Sequence, residues 1–184
     1  SGDFDGVLRR HGDHFLDLAV EAEPHLTAGD QGEWLDRCDR DHANIRAALR
    51  WAIEAGEVDR AQEAAGALWR FWQQRGHLAE GRRWLEALLA PSLPQGRTAA
   101  RAKALTGAGG IAWWQEDMAA AQVFYEEALA IERELGDPAR IAEAPRPRSR
   151  ARSRGAAGGG GRPGRRLGRG PGHAGAGADP DQHH

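Results

Sequence analysis

Cys38 and His42 stand four residues apart, a spacing that places both side chains on one face of a helix and could supply two ligands to a metal ion. Two ligands are too few for a closed site, so His11 and His14 would have to approach them from another helix. We therefore interpret Cys38 as a buried thiol and His42 as a core histidine, and we expect no metal site.

Phosphate chemistry would need a glycine-rich loop that carries a Lys and a Ser or Thr. The one lysine, Lys103, lies within a predicted helix, and the glycine-rich run 107–110 follows no predicted strand. Small residues in this run are better explained by close helix packing than by phosphate binding. We expect no cofactor, and we assign any nucleotide chemistry to an N-terminal part of a longer parent protein.

Hydrolytic chemistry lacks a positioned nucleophile. The serines all lie in termini or predicted loops, at positions 1, 92, 149 and 153, so a Ser-His-Asp arrangement is not expected. Four carboxylates are predicted to face solvent on outer helix surfaces: those of Glu126, Glu127, Glu132 and Glu134. We predict that the chain is not an enzyme.

All seven tryptophans lie before residue 144. Four of them occur at helical spacing among leucines and phenylalanines and are predicted to pack in the core: Trp51, Trp69, Trp72 and Trp84. Trp113 and Trp114 are adjacent and point about 100° apart on a helix, so they cannot both face the same neighbour. One of these two should be partly exposed.

The net charge of −2 for 184 residues combines two unlike segments. Residues 1–143 carry 16 basic and 25 acidic side chains, whereas residues 144–184 carry 9 basic and 2 acidic ones. The second segment is rich in Gly and Pro and poor in large apolar residues, so we predict that it is disordered. A single cysteine excludes a disulfide scaffold, and the lack of a long apolar run or a signal pattern predicts a cytoplasmic protein without a membrane partner.

Helix formers dominate the first segment. Ala, Leu, Glu and Arg are abundant and β-branched residues are few, so the predicted class is all-α. One helix is predicted over residues 7–23, ending before Pro24. A second is predicted over residues 30–55 from the three- and four-residue spacing of its apolar side chains, with Asp30 as N-cap and Gly56 as C-terminal stop.

Glycines recur every 20 residues from position 56, at 56, 76, 96 and 136, with Glu at 116. Each interval holds one helix of about 14 residues and a short turn. Two intervals form a 40-residue helical hairpin, in which Trp84 corresponds to Phe124 and Leu89 to Leu129. Repeated hairpins of this kind predict an α-solenoid.

Small and aromatic residues form a spaced motif over residues 102–136. It consists of Leu105-x-x-x-Gly109, a turn at Glu116-Asp117-Met118, and Ala121-x-x-x-Tyr125-x-x-Ala128-Leu129. This motif resembles a tetratricopeptide repeat. Segment 62–95 matches in its second helix, has Trp69 at the position of Gly109, and is lengthened by an insert at 91–94. The resemblance implies a right-handed α-solenoid of antiparallel helical hairpins.

A second set of motifs begins near residue 9. It comprises Arg10-His11, Phe15-Leu16-x-Leu18-Ala19, Ala22-Glu23-Pro24, Trp34-Leu35-Asp36-Arg37, Asn44-Ile45-Arg46-Ala47-Ala48-Leu49-x-Trp51-Ala52, Leu68-Trp69-Arg70-Phe71-Trp72 and Arg75-Gly76-x-Leu78-x-Glu80-Gly81-Arg82-x-Trp84-Leu85. With these motifs, residues 9–143 resemble the helical region that follows the nucleotide-binding module in large actinobacterial regulators. Those proteins are signal-transducing ATPases with LuxR-type, SARP-type or cyclase-like partner domains. The resemblance implies that the chain is a fragment whose helical repeats sense a partner or ligand and restrain the ATPase.

These patterns divide the chain into an N-terminal helical region (1–55), tetratricopeptide-like repeats (56–143) and a basic tail (144–184). By the repeat match, eight residues would line the inner surface of the solenoid: Glu63, Arg70, Gln73, Gln74, Lys103, Thr106, Trp113 and Trp114. Such surfaces usually bind peptide segments. We therefore predict a protein or peptide partner, which could be another domain of the same parent regulator.

The basic tail suggests a rival function. Its run 145–154 alternates Arg with small residues, and this charge would support salt-sensitive phosphate binding, although the tail has no aromatic side chains to stack on bases. Because the helical resemblance stops near Ala144, we favour a frameshift in a GC-rich gene over a genuine tail. Nucleic-acid binding through the tail is the main alternative to a protein-interaction module, and an enzyme with an unrecognised helical active site is the third.

Overall fold

α-Helices make up most of the part of the chain that this computed structural model describes, residues 2–136. In chain order they are α1 (Gly2–Ala22), α2 (Gln31–Arg40), α3 (His42–Glu54), α4 (Val58–Gln74), α5 (Leu78–Leu89), α6 (Ala99–Trp114) and α7 (Met118–Leu135). Residues 2–136 contain no strand, so the all-α prediction is confirmed for them. None of these helices has both the length and the hydropathy of a membrane span. The predicted disorder of 144–184 and the frameshift near Ala144 lie outside the described residues.

Helix α1 ends where the sequence predicts. Its last residue is Ala22, and the chain continues as a short 3₁₀ helix, Glu23–Thr27, that contains Pro24 near its start. Proline disfavours α geometry in the preceding residue and cannot donate the next backbone hydrogen bond, so the change of helix type at this point follows from Pro24. Leu26 in the 3₁₀ helix is fully buried and joins the core.

The single helix predicted over residues 30–55 is wrong, because the structure has two helices with a break at Asp41. Neither glycine nor proline marks this break. Asp41 has φ −97° and ψ 8°, and its carboxylate accepts a hydrogen bond from the Asn44 amide at 3.3 Å. This bond joins two side chains, and the Asp41 carboxylate makes no capping bond to the backbone of α3, so the break has no explanation in a local capping motif. Asp30 does occupy the N-cap position of α2, but its carboxylate bonds to His25 at 2.6 Å instead of capping the backbone.

Three of the predicted 20-residue stops share one turn geometry. Gly56 and Gly76 have φ of 78° and 76°, and Glu116, the one member that is not glycine, has φ of 62°. In each turn the next N–H donates to a carbonyl five residues earlier: Glu57 to Ala52, His77 to Trp72 and Asp117 to Ala112, at 2.7–2.9 Å. This is the hydrogen bond of a helix that ends in a left-handed residue. Gly136 ends α7 in the same region, with φ of 69°.

The stop predicted at Gly96 is wrong, because α5 ends seven residues earlier at Leu89. The residue before Pro91, Ala90, is extended, as expected for a position that precedes proline. The Gln95 amide then donates to the carbonyls of Leu88 and Ala90 at 3.1 and 3.0 Å, so the segment after α5 is bonded back onto its end.

Each later hairpin packs against the one before it. Helix α4 contacts α1, α3 and its own partner α5, and α6 contacts α4, α5 and its own partner α7. Between the last two hairpins, the Arg82 guanidinium on α5 bonds to Asp117 at 2.8 Å and to Gln115 at 3.1 Å, in the turn between α6 and α7. Helices before and after Gly56 thus share one core, in which Trp72 is 1% exposed and the predicted Trp51, Trp69 and Trp84 are partly buried.

One predicted surface carboxylate is wrong: Glu132 is only 7% exposed. It follows Tyr125 and Ala128 at helical spacing on the buried face of α7. The other three carboxylates do face outward, with Glu127 paired to Arg101 and Glu134 paired to Arg97.

The left-handed conformation of Glu116 yields a prediction about stability. A residue with a Cβ pays roughly 1 kcal/mol or more in this region, whereas glycine does not. We expect Glu116→Gly to raise the free energy of unfolding by about 1 kcal/mol, visible as a melting temperature a few degrees higher. The matched control is Gly76→Ala in the equivalent turn, where a Cβ would meet no atom within 4 Å, so backbone strain alone should lower the stability. A Glu116→Gly chain that melts at a lower temperature than the parent would contradict this assignment.

Candidate functional site

The predicted partner-binding residues come from two helices that lie side by side, α4 and α6. Their close approach depends on Gly66, where an added Cβ would lie 2.8 Å from the backbone carbon of Lys103 and 2.9 Å from the nitrogen of Ala104. Because backbone atoms cannot move aside as a flexible side chain can, any larger residue at 66 would push the two helices apart. The relative position of the two predicted halves of the site is thereby fixed.

The Trp69 ring fills the space between these helices. Added Cβ atoms at Gly107 and Gly110 would lie 3.3 and 2.8 Å from Trp69, so the glycine-rich run of α6 receives the indole. The prediction that these glycines serve close packing is therefore confirmed. The Arg70 guanidinium carbon lies 4.0 Å from the centroid of the same ring, in a cation–π arrangement.

Arg70 is half-buried and forms no ion pair within residues 6–136, the part of the chain whose side chains are described. Burial lowers the pKa of its guanidinium, and burial also raises the pKa of the neighbouring Tyr125 hydroxyl. An arginine stays charged in proteins, so its partial burial costs desolvation free energy. Stacking on Trp69 offsets only part of this cost. A carboxylate supplied by another molecule would complete the pairing.

Trp113 and Trp114 occupy the last turn of α6, beginning three residues after Gly110. Their exposed fractions are 43% and 47%, and their rings meet edge to face with centroids 5.5 Å apart. The sequence predicts that one of them is partly exposed, and the structure leaves both partly exposed. They are the two aromatic residues among the exposed large hydrophobic side chains of residues 6–136.

The other predicted residues differ in whether their polar groups are already hydrogen-bonded within the described residues. Lys103 passes over Gly66 and pairs with Glu23 at 2.6 Å, and the Thr106 hydroxyl donates to the carbonyl of Ala102 at 3.0 Å, so both polar groups are already used inside the fold. Gln74 is exposed and its amide lies 3.4 Å from the Leu26 carbonyl. Glu63 is exposed and Gln73 is half-buried. Of the eight predicted residues, Trp113 and Trp114 thus keep large exposed aromatic surfaces, and Arg70 keeps a guanidinium without an ion pair in residues 6–136.

Sequence reasoning missed a second feature, a cleft of about 350 Å³ lined by Arg46, Arg50, Glu80, Arg83, Trp84 and Ala87. Its residues come from α3 and α5. The arginines at 46 and 50 are one helical turn apart, which is a visible signal, but nothing in the sequence says that α5 supplies a third arginine to the same place.

Cys38 and His42 lie in different surroundings in the structure. Cys38 is fully buried, and this burial, with the charges of Asp39 and Asp41, raises the pKa of its thiol to about 11. The His42 ring bonds through Nε2 to Glu80 at 3.1 Å and meets the Phe71 ring edge to face. Within residues 2–136, no three His, Cys, Asp or Glu side chains are grouped to hold a metal ion.

Comparison with known proteins relates the chain to transcriptional regulators. It is 31% identical over 151 residues to proteins provisionally named HTH-type transcriptional regulators, from Mycobacterium bovis and from Mycobacterium tuberculosis. The match covers 78% of this chain but 17% of each relative, so the chain spans about a sixth of the length of these proteins. No family model matches the chain, and no solved structure is a significant match. The predicted likeness to bacterial transcriptional regulators is supported at this level, and the assignments to tetratricopeptide repeats and to regulatory ATPases stay predictions.

The buried thiol of Cys38 predicts a pH dependence of stability. Below about pH 9 the thiol is protonated in both states, whereas between pH 9 and about 11 only the unfolded chain ionises, so stability falls as the pH rises. A shift of about two pKa units corresponds to a loss of about 2–3 kcal/mol across this range. Urea unfolding of the parent chain and of Cys38→Ala, measured between pH 7 and pH 11, isolates this effect because all other titrations are shared. The stability difference between the two should shrink by about that amount as the pH rises, and a constant difference would contradict the buried thiol.

Proposed function

We propose that this chain is a non-catalytic protein-interaction region of a bacterial transcriptional regulator, in which hairpins of the tetratricopeptide type stack as a right-handed α-solenoid. The stacking is supported by the contacts of α4 and α6, since each packs on both helices of the preceding hairpin as repeat hairpins do. The regulatory role is supported by the mycobacterial relatives, whose names describe HTH-type transcriptional regulators. A regulator of this kind acts in the cytoplasm.

The observation that carries the interaction proposal is the exposed pair Trp113 and Trp114 on α6, together with Arg70 on the neighbouring α4, which forms no ion pair within residues 6–136. Tryptophan and arginine are the residues most enriched among those that dominate binding energy at protein interfaces. The indole pair offers apolar area, and the stacked guanidinium offers a charge that carboxylate would satisfy. We infer a peptide segment as the partner, with an apolar side chain on the indoles and an acidic residue near Arg70.

The absence of catalysis belongs to the same proposal. The glycine-rich run of α6 is filled by Trp69 and the buried Cys38 thiol stays protonated at neutral pH, so neither offers phosphate binding or a nucleophile. If the parent protein has ATPase activity, we propose that another part of it supplies that activity.

The first test is Trp114→Ala, measured with peptides selected from a random library on the immobilised full-length chain. We expect the Kd of selected peptides to rise about tenfold or more, as for a hot-spot tryptophan, while the melting temperature changes by only a degree or two. Val123→Ala is the matched control, since Val123 is 61% exposed on α7 and should leave both values unchanged. Arg70→Met should weaken mainly the peptides that contain Asp or Glu. A large fall in melting temperature with unchanged binding would refute the interface.

Nucleic-acid binding through residues 144–184 is the second candidate, favoured by the nine arginines of that segment. Replacing the arginines at 146, 148, 150, 152 and 154 by Gln in the full-length chain tests it without truncation. If the segment binds DNA, a mobility shift seen at low salt should weaken in this variant and also in the parent at higher salt. Equal shifts by parent and variant would exclude these arginines as the DNA-binding group.

A further inference from the structure

The cleft between α3 and α5 carries an uneven charge. Three of its lining residues are arginines, at 46, 50 and 83, and one is a carboxylate, Glu80. Arg46 lies 3.8 Å from the Glu80 carboxylate, whereas Arg50 and Arg83 form no ion pair within residues 6–136, whose side chains the structure describes. The cleft thus presents two exposed guanidinium groups that no carboxylate of these residues pairs with.

Glu80 lines the cleft and is bonded to its neighbours, so it does not pair with Arg50 or Arg83. Its Oε1 accepts from His42 at 3.1 Å and lies 3.4 Å from the Trp84 indole nitrogen. The carboxylate is 15% exposed and is therefore committed to its neighbours on α3 and α5. Its bonds fix the position of the Trp84 ring, which forms the apolar part of the cleft beside Ala87.

We propose that this cleft binds an acidic peptide segment, with one Asp or Glu carboxylate between Arg50 and Arg83 and an apolar side chain against Trp84. The guanidinium fork matches the planar carboxylate, and the aromatic wall accepts the side chain next to it. This site lies on α3 and α5, so it is separate from the Trp113 and Trp114 surface and does not depend on it.

The lining of the cleft and the charge of the chain favour an acidic peptide over a free phosphate or a nucleic acid. The apolar wall of Trp84 and Ala87 gives a peptide side chain a contact that a free phosphate lacks. In addition, residues 1–136 carry 23 acidic and 15 basic side chains, an excess that repels a long polyanion. A short acidic segment is affected less, because charges farther away than about 8–10 Å are screened at physiological salt.

The test uses a labelled peptide of alternating Glu and Leu and the same peptide with Gln in place of Glu, titrated into the full-length chain by fluorescence anisotropy. We expect the Glu peptide to bind and the Gln peptide to bind at least tenfold more weakly. The double change Arg50→Gln and Arg83→Gln should weaken the Glu peptide about tenfold or more. Arg10→Gln with Arg133→Gln, two exposed arginines outside the cleft, removes the same charge and should change the Kd less than twofold.

Other outcomes decide against the proposal. If both double variants weaken peptide binding equally, net charge alone attracts the peptide. If the parent chain does not bind the Glu peptide, the proposed site does not exist. Millimolar phosphate or short duplex DNA could also displace the Glu peptide from the parent chain. If the Arg50→Gln, Arg83→Gln variant no longer binds that competitor, the cleft is a phosphate site and the proposal is wrong. Trp114→Ala should leave Glu-peptide binding unchanged, which separates this result from a failure of the α6 surface.

Discussion

The contact between α4 and α6 at Gly66 is the constraint on which the rest of the candidate surface depends. A Cβ at this position would meet the backbone of Lys103 and Ala104 below 3 Å, so the two helices can pass at this distance only because residue 66 has no side chain. This close contact determines where the neighbouring side chains lie. Lys103 crosses α4 to reach Glu23, and Trp69 lies on the α6 glycines, which in turn gives Arg70 a ring to stack on.

Close approach of a glycine to an aromatic ring recurs within each hairpin, but the helix that carries the glycine changes. Gly109 on α6 faces Tyr125 on α7, whereas Gly81 on the second helix of its hairpin faces Trp72 on the first. The first hairpin has the same kind of contact between Gly12 on α1 and Trp51 on α3. One large and one small residue can fill the space in either order. Trp69, where segment 62–95 departs from the repeat pattern, instead meets Gly107 and Gly110 of the next hairpin.

Features that depend on one residue and its neighbours could be predicted from the sequence. Pro24 ends α1, and Gly56 and Gly76 end helices in left-handed turns, because each imposes or permits a local backbone geometry. The break at Asp41 and the burial of Glu132 could not be predicted from periodicity, because apolar spacing reports which face is buried and not whether the backbone is continuous or which polar residue lies on that face. Contacts between helices that are distant in the sequence could not be predicted from periodicity either.

The same limit applies to the candidate binding residues. Repeat spacing predicts Arg70, Trp113 and Trp114 as candidates, whereas the pairing of Lys103 with Glu23 and the approach of α3 to α5 depend on which helices become neighbours. Carboxylates outnumber basic side chains in residues 1–136, so an arginine left without one among the described residues needs a local reason. For Arg70 the reason is that its guanidinium stacks on the Trp69 ring, with Tyr125 nearby. For Arg50 and Arg83 it is that the one carboxylate lining their cleft, Glu80, is already shared by His42, Arg46 and Trp84. Local packing, and not the net charge of the chain, therefore decides which cations remain available to another molecule.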